Sequence, residues 1–177
     1  TKNMRVKIFL ILLLLFLAGV LLTVHSSISS PDATGYLLQT PDGAKLSLFV
    51  ADTVAKRERG FGGKASIAES AGMLFVFPES EFHGIWMKDM LFPIDIVWLA
   101  DADTPEQISE GNLRGQAQTD ADSKTRLVVV DMKEHVAPES YPEVSYPKEM
   151  ARYVLELNAG VAKRAGIEIG ALLTVEK

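Results

Sequence analysis

Short apolar segments separated by turn residues are the feature that most constrains the fold of this chain. Seven or eight of them have the length and composition of strands, at residues 36–40, 45–51, 72–78, 84–88, 94–99, 127–132, 153–157 and 172–175. Only two or three short helices are predicted, and the strand–long helix alternation of a doubly wound sheet is missing. We therefore expect a β-rich α+β fold, a compact, mostly antiparallel barrel or curled sheet preceded by an N-terminal membrane helix.

Residues 8–24 form an unbroken run of apolar or small side chains, which predicts the membrane helix. As a helix, this run would rise about 26 Å, slightly less than the roughly 30 Å of a bilayer core. A signal peptide cleaved near Ser26 is the alternative, although the run is longer than most signal-peptide cores. We therefore assign residues 1–26 to a membrane anchor or signal peptide, 27–35 to a Ser-rich linker and 36–177 to a single globular domain.

The distribution of charge predicts on which side of the membrane the domain lies. Lys2, Arg5 and Lys7 precede the apolar run, so the positive-inside rule places the N-terminus in the cytoplasm. The domain would then lie outside the cytoplasm, periplasmic or extracellular, tethered to the membrane or secreted after cleavage. The formal net charge is −5, and the residues after position 26 carry 15 basic and 23 acidic side chains, a balance of −8. This acidic balance argues against nucleic acid as a partner.

Residues 83–100 contain both tryptophans and predict a hairpin, with arms at residues 84–88 and 94–99. Side chains alternate between the faces of a strand, so Trp86 and Lys88 share one face of the first arm. If Asp95 lies on the same side, Lys88 and Asp95 form an ion pair beside an aromatic wall. Tryptophan would suit the stacking of a sugar ring or another planar group. The alternative interpretation is an ion pair with core aromatics that fixes the hairpin register.

Two polar groups from other segments complete the candidate pocket. Glu58 and Arg59, on a short helix predicted at residues 54–60, could reach Trp86, Lys88 and Asp95. A further candidate is Asn158, at a strand-to-helix turn. Its simplest role is the N-cap of the following helix, whose N-terminus could instead contact an anionic ligand group.

Carboxylate pairs are the main route by which this sequence could support catalysis. Asp95 with Glu58, Glu156 or Asp89 could form the pair that glycoside hydrolysis requires, but their spacing in sequence does not give their separation in space. This leaves an envelope hydrolase, with Asp95 as acid or base tuned by Lys88, as one alternative function.

Several other kinds of chemistry have no support in the sequence. The chain has no cysteine, which excludes disulfides, a thiolate nucleophile and Cys-ligated metal. His83 and His135 do not belong to a metal-binding spacing such as His-Glu-x-x-His. The glycines at residues 60–63 follow a helix instead of opening one, unlike a phosphate-binding loop. We therefore predict no cofactor and no metal.

Four segments together resemble a known family in their order and spacing. They lie at residues 56–61, 72–77, 85–96 and 153–167, and the most specific is Trp-Met-Lys followed by Pro-x-Asp at residues 93–95. They resemble the exported bacterial and archaeal family called domain of unknown function 192. The resemblance runs from Leu46 to the C-terminus and implies a small β-rich domain, often behind a signal or anchor, with no established activity. The chain departs from the family's usual Gly-Leu-Met by having Gly-Phe-Gly-Gly at residues 60–63, and its polar segment at 101–126 is longer than usual.

These observations predict a membrane-tethered module that binds a small molecule, a glycan, a peptide or another envelope component. The acidic outer domain and the cluster of aromatic and charged side chains favour this function. An envelope hydrolase using Asp95 with Lys88 is one alternative. A structural accessory domain of a membrane complex is the other.

Overall fold

The computed structural model describes residues 35–102 and 124–177 of this chain. Its elements, in order, are β1 (Tyr36–Gln39), β2 (Lys45–Ala51), α1 (Val54–Arg59), β3 (Ala71–Glu81), β4 (Ile85–Trp86), β5 (Ile94–Asp101), β6 (Lys124–Val136), a 3-10 turn (Pro138–Ser140), β7 (Val144–Ser145), β8 (Ala151–Asn158), α2 (Val161–Arg164) and β9 (Leu172–Glu176). Seven strands close a barrel in the order β1-β2-β3-β8-β5-β6-β9. All neighbours in this barrel are antiparallel except β2 and β3, which are parallel. The prediction of a β-rich fold with few short helices is confirmed, and the sheet is a closed barrel.

Two of the predicted strand segments, at residues 36–40 and 45–51, form an antiparallel hairpin. Strands β1 and β2 pair with Tyr36 opposite Leu48. Between them, Thr40 accepts a hydrogen bond from the amide of Gly43 at 2.9 Å, and its own amide donates to Ala44 at 3.0 Å. Gly43 has a φ of +85°, which glycine adopts without steric cost.

The hairpin predicted for residues 84–88 and 94–99 is wrong. Strand β4 pairs with β7 in a separate two-stranded sheet, whereas β5 lies in the barrel between β6 and β8. The connecting residues make a tight turn in which the Met90 amide donates to the carbonyl oxygen of Met87 at 3.2 Å, but this turn does not bring β5 back onto β4. Met87, Met90 and Phe92 bury their side chains against other parts of the domain. Alternation predicted two strands correctly but could not show that each pairs elsewhere.

The buried side chains form two layers on opposite faces of the barrel wall. The inner layer draws residues from all seven barrel strands and fills the interior: examples are Leu38, Leu46, Leu74, Val97, Leu127, Leu155 and Leu173. The buried residues of the outer layer that belong to barrel strands come from β2, β3, β5 and β8, and include Ala51, Met73, Phe75, Ile96, Trp98 and Val154. Phe61 completes this layer together with Ile85, Met87, Met90 and Phe92. We call these last four residues the outer cover. Strands β3, β8 and β5 are therefore buried on both faces, as near-continuous apolar runs predict.

Trp98 connects the outer cover to the barrel. Its side chain is fully buried, and its Nε1 donates a hydrogen bond to the carbonyl oxygen of His83 at 2.8 Å. His83 itself stacks on Phe77 of β3, with ring centroids 3.6 Å apart. These contacts fix the start of the outer cover against β3 and β5.

The predicted membrane anchor or signal peptide at residues 1–26 lies outside the described residues. The same holds for the linker at residues 27–34 and for residues 103–123 of the polar segment. Within residues 35–102 and 124–177, no helix has both the length and the apolar character needed to cross a bilayer.

We predict that the two tryptophans contribute very differently to stability. Trp98→Phe should lower the free energy of unfolding by about 2 kcal/mol, because it leaves a small cavity and removes the donor to the carbonyl of His83. Trp86→Phe is the matched control and should change it by less than about 0.5 kcal/mol, because Trp86 is 46% exposed. Urea denaturation of the full chain measures both values, and equal losses would contradict this assignment.

Candidate functional site

A cavity of about 210 Å³ lies in the outer layer, between α1 and the outer cover. It is lined by Arg57, Glu58, Arg59, Gly60, Phe61, Phe75, Phe77, Gly84, Ile85, Trp86, Lys88, Met90 and Glu156. Aromatic rings form much of its wall, and most of its charged groups come from α1. A wall of this composition, with a few polar groups, is typical of small-ligand sites.

Four of the six predicted site residues lie together in this cavity: Glu58, Arg59, Trp86 and Lys88. The Lys88 ammonium group is 5.6 Å from the centre of the Trp86 ring, a cation–π contact. Trp86 also meets Tyr141 edge-on, with ring centroids 6.3 Å apart. One part of the Trp86 surface remains exposed at the cavity.

The predicted pairing of Asp95 with Lys88 is wrong. Asp95 is fully buried, and its two carboxylate oxygens accept hydrogen bonds from backbone amides, those of His135 at 2.9 Å and Ala162 at 3.1 Å. Among the described residues, Lys88 has no ion pair with it. Asp95 lies on the same face of β5 as the inner-layer residues Val97 and Leu99, whereas the cavity lies in the outer layer. It joins β6 and α2 to β5 and does not reach the cavity.

Asn158 is also structural, and its predicted role as an N-cap is wrong. Helix α2 begins after Gly160, which has a φ of +80° and provides no side-chain cap. The Asn158 side-chain amide instead donates to the carbonyl oxygens of Ile67 at 3.1 Å and Ala68 at 3.3 Å. Asn158 thereby holds the segment before β3 against β8 and does not line the cavity.

Glu156 also lines the cavity. The sequence suggested it only as one of three possible carboxylate partners of Asp95. It is 4% exposed, and its Oε2 is the buried side-chain polar atom without a hydrogen-bond partner in the described part of the chain. Burial raises the pKa of Glu156 from 4.5 to about 8, so most of it is neutral near pH 7. A single acid inside the apolar run at residues 153–157 was the sequence signal for it.

Arg57 was missed by the sequence reasoning, and the turn geometry of α1 explains its position. The helix starts at Thr53, whose hydroxyl oxygen accepts from the amide of Lys56 at 3.3 Å, and ends at Gly60, which has a φ of +48°. Arg57 then points back to the barrel, donating to the carbonyl oxygen of Val76 at 2.9 Å and lying 5.1 Å from the centre of the Phe77 ring. Arginine is well suited to this combined stacking and hydrogen bonding.

No metal site is formed by the parts of the chain that the structure describes, since no three His, Cys, Asp or Glu side chains come close enough to share an ion. His83 donates from Nε2 to the carbonyl oxygen of Glu79, at 3.0 Å, while it stacks on Phe77. His135 lies near Asp95, with 3.9 Å between Nδ1 and Oδ1.

The barrel with its covered outer face and cavity places the chain in a class of small β-barrel domains that also has solved members. One, from Sinorhizobium meliloti 1021 and described as a "putative transcription regulator", is 28% identical, with a TM-score of 0.58 over 78% of this chain and 89% of that one. Another, a protein of unknown function from Novosphingobium aromaticivorans DSM 12444, is 20% identical, with a TM-score of 0.57 over 78% of this chain and 81% of that one. At 20% identity, the similarity to the second protein supports a shared fold and nothing about function.

The chain belongs to the family domain of unknown function 192, described as Uncharacterized ACR, whose model matches residues 37–126. The family resemblance seen in the sequence is therefore confirmed. No curated protein has a significant match to the chain.

Asp95 should be needed for stability. Asp95→Leu removes the acceptor of the part-buried His135 amide and of the buried Ala162 amide, so it should lower the free energy of unfolding by about 3 kcal/mol. Asp52→Leu is the control, because Asp52 forms an exposed pair with Lys56 and should contribute less than about 1 kcal/mol. Urea denaturation of the full chain tests this, and a change below 1 kcal/mol for Asp95→Leu would contradict it.

The raised pKa of Glu156 predicts that stability falls with rising pH. The folded chain holds this proton between pH 4.5 and about 8, where an unfolded chain has released it, so folding takes up a proton in this window. The free energy of unfolding should therefore decrease by at most about 1.4 kcal/mol per pH unit as pH rises through this window. Glu156→Gln cannot ionise and should remove this fall. A mutant with the same slope as the wild type between pH 5 and 8 would refute the assignment.

Proposed function

We propose that this domain binds a small organic anion in the cavity between α1 and the outer cover. The observation that carries the proposal is the convergence of Trp86, Lys88 and the charged end of α1 on one cavity with a buried acid, Glu156, in its wall. A buried polar group without a partner is costly in a folded protein, and such groups concentrate at functional sites.

The charges of the cavity support a ligand with a negative group. Arg57, Arg59 and Lys88 contribute three positive charges, and Glu58 contributes one negative charge. Glu156 adds little negative charge near pH 7, because burial raises its pKa to about 8. The wall is thus cationic on a domain that is acidic as a whole, which would attract an anion to this place.

The aromatic wall supports a ligand with a flat or apolar portion. Trp86 is 46% exposed, which leaves part of its ring surface open to a ligand. Phe61, Phe75 and Phe77 continue the apolar wall. A sugar acid, an aromatic acid or the acidic end of a short peptide would satisfy both requirements.

The proposed location is the outer side of a membrane, with residues 1–26 as anchor or as a cleaved signal. The support is the basic and apolar character of that segment and the acidic balance of the domain. A role in transcription, which the description of the Sinorhizobium meliloti protein names, is not extended to this chain, because an acidic surface does not suit nucleic acid.

The two alternative functions differ in what supports them. Hydrolysis by Asp95 with Lys88 is not proposed, because backbone amides hold both oxygens of Asp95 away from the cavity. A structural accessory domain requires no ligand. It becomes the preferred function if the cavity binds none of the ligands tested.

Loss of the cavity's aromatic and cationic groups should weaken ligand binding. We expect Trp86→Ala and Lys88→Gln each to reduce the affinity for an anionic ligand about 10-fold, since each removes a direct contact. Calorimetry with the full chain and a panel of uronic acids, aromatic acids and acidic peptides, together with matched neutral analogues, measures this.

Lys163→Gln is the matched control, because Lys163 is exposed and does not line the cavity. Every hit bound equally by wild type, Trp86→Ala and Lys88→Gln would refute this site. If no anion binds and the stable Trp86→Ala, Lys88→Gln double variant restores a deletion phenotype, the accessory-domain alternative replaces it.

A further inference from the structure

We propose that Glu156 is the inner contact of the ligand, where its neutral carboxyl group donates a hydrogen bond to an uncharged oxygen acceptor. The ligand class is then narrower than small anions in general. It consists of organic anions with a carbonyl, ether or hydroxyl oxygen at the end opposite the charged group. This inference rests on the proposed function and assigns chemistry to the deeper end of the same cavity.

The position of Glu156 makes it the deep end of the cavity. It is 4% exposed, whereas Glu58, Arg59, Trp86 and Lys88 are exposed residues at the cavity mouth. A ligand that enters past the mouth with its charged group trailing therefore meets Glu156 with its leading end.

Strand alternation directs Glu156 towards the cavity and away from the barrel interior. Its neighbours Leu155 and Leu157 belong to the inner layer, so the side chain between them faces the outer layer. The residues paired with Glu156 on the adjacent strands are Met73 of β3 and Ile96 of β5, and both are apolar. These strand partners therefore offer neither a charge nor a hydrogen bond to the carboxyl group.

The turn after α1 leaves space beside this carboxyl group. Gly60 has a φ of +48°, and a Cβ there would lie 3.8 Å from Oε2 of Glu156 and 3.4 Å from Cζ of Phe75. The glycine that ends the helix thus also avoids placing a side chain against the acid. The Oε2 atom of Glu156, which has no hydrogen-bond partner, therefore lies next to the position where Gly60 lacks a side chain.

The surrounding charges favour an acceptor over a cation as the ligand's inner group. The charged groups that line the cavity with Glu156 are Arg57, Glu58, Arg59 and Lys88, which carry a positive balance. None of these cations forms an ion pair with Glu156 among the described residues. Bringing an ammonium group past them would be electrostatically unfavourable, whereas a neutral oxygen can accept the proton of the carboxylic acid.

Three matched benzoates test the assignment on the full chain. The probe 4-acetylbenzoate has a carbonyl acceptor opposite its carboxylate, 4-isopropylbenzoate has the same shape without the acceptor, and 4-(aminomethyl)benzoate has a cation there. Calorimetry at pH 6.5 should show 4-acetylbenzoate binding about 10-fold more tightly than 4-isopropylbenzoate, the value of one well-formed hydrogen bond. This preference should disappear at pH 9.5, where Glu156 is ionised.

Two variants separate the donor from the charge. Glu156→Gln keeps a donor of the same size, so it should retain the preference for 4-acetylbenzoate at both pH values. Glu156→Met removes the donor and should bind the acetyl and isopropyl probes equally. Thermal unfolding of each variant establishes that it is folded, and the pH dependence of the wild type tests the proposal without any substitution.

The outcomes distinguish this inference from the proposed function. Equal binding of the acetyl and isopropyl probes by the wild type overturns the donor role of Glu156 and leaves anion binding standing. Tightest binding of 4-(aminomethyl)benzoate, lost in Glu156→Gln, overturns it in favour of a carboxylate that pairs with a cation. Failure of all three probes to bind, together with a negative result for the anion panel, overturns both proposals.

Discussion

The burial of β3, β8 and β5 on both faces is the constraint on which the rest of this domain depends. A barrel alone covers only the inner face of its strands, so the apolar side chains on the outer face need a second layer. Phe61 and the outer cover provide it, and Trp98 joins this layer to the barrel. The cavity lies where this second layer meets the end of α1, so the site follows from the way the sheet is covered.

Two of the three buried carboxyl groups in the described part of this sheet, those of Asp95 and Glu156, are in opposite situations. Asp95 faces the barrel interior, and two backbone amides satisfy its oxygens. Glu156 faces the outer layer on the neighbouring strand and has an oxygen without a partner. A satisfied buried carboxylate stabilises the fold, whereas an unsatisfied one reduces stability unless something binds it. The contrast explains why Glu156, and not Asp95, is the acid on which the proposed function depends.

The sequence predicted local structure well and long-range pairing poorly. The pattern of short apolar segments placed β2 at Lys45–Ala51, because this signal acts over a few residues. The partner of β4 could not be found this way, since β7 lies more than fifty residues further along the chain. For the site, Trp86 and Lys88 were found by their unusual composition, but Asp95 and Glu156 looked alike: each is an acid in an apolar run. Only their positions on opposite faces distinguish them.

The separation between the barrel and its outer cover has a consequence for how such a domain can diverge between species. The cavity's exposed charged groups come from α1 and from Lys88, whereas the inner layer fills the interior of the seven-stranded barrel. Under the proposed function, exchanges at Arg59 or Lys88 would change which molecule is bound without altering the side chains of the barrel interior. The proposal therefore implies that related domains diverge in selectivity on a constant barrel, and that those which keep Glu156 keep the same class of ligand.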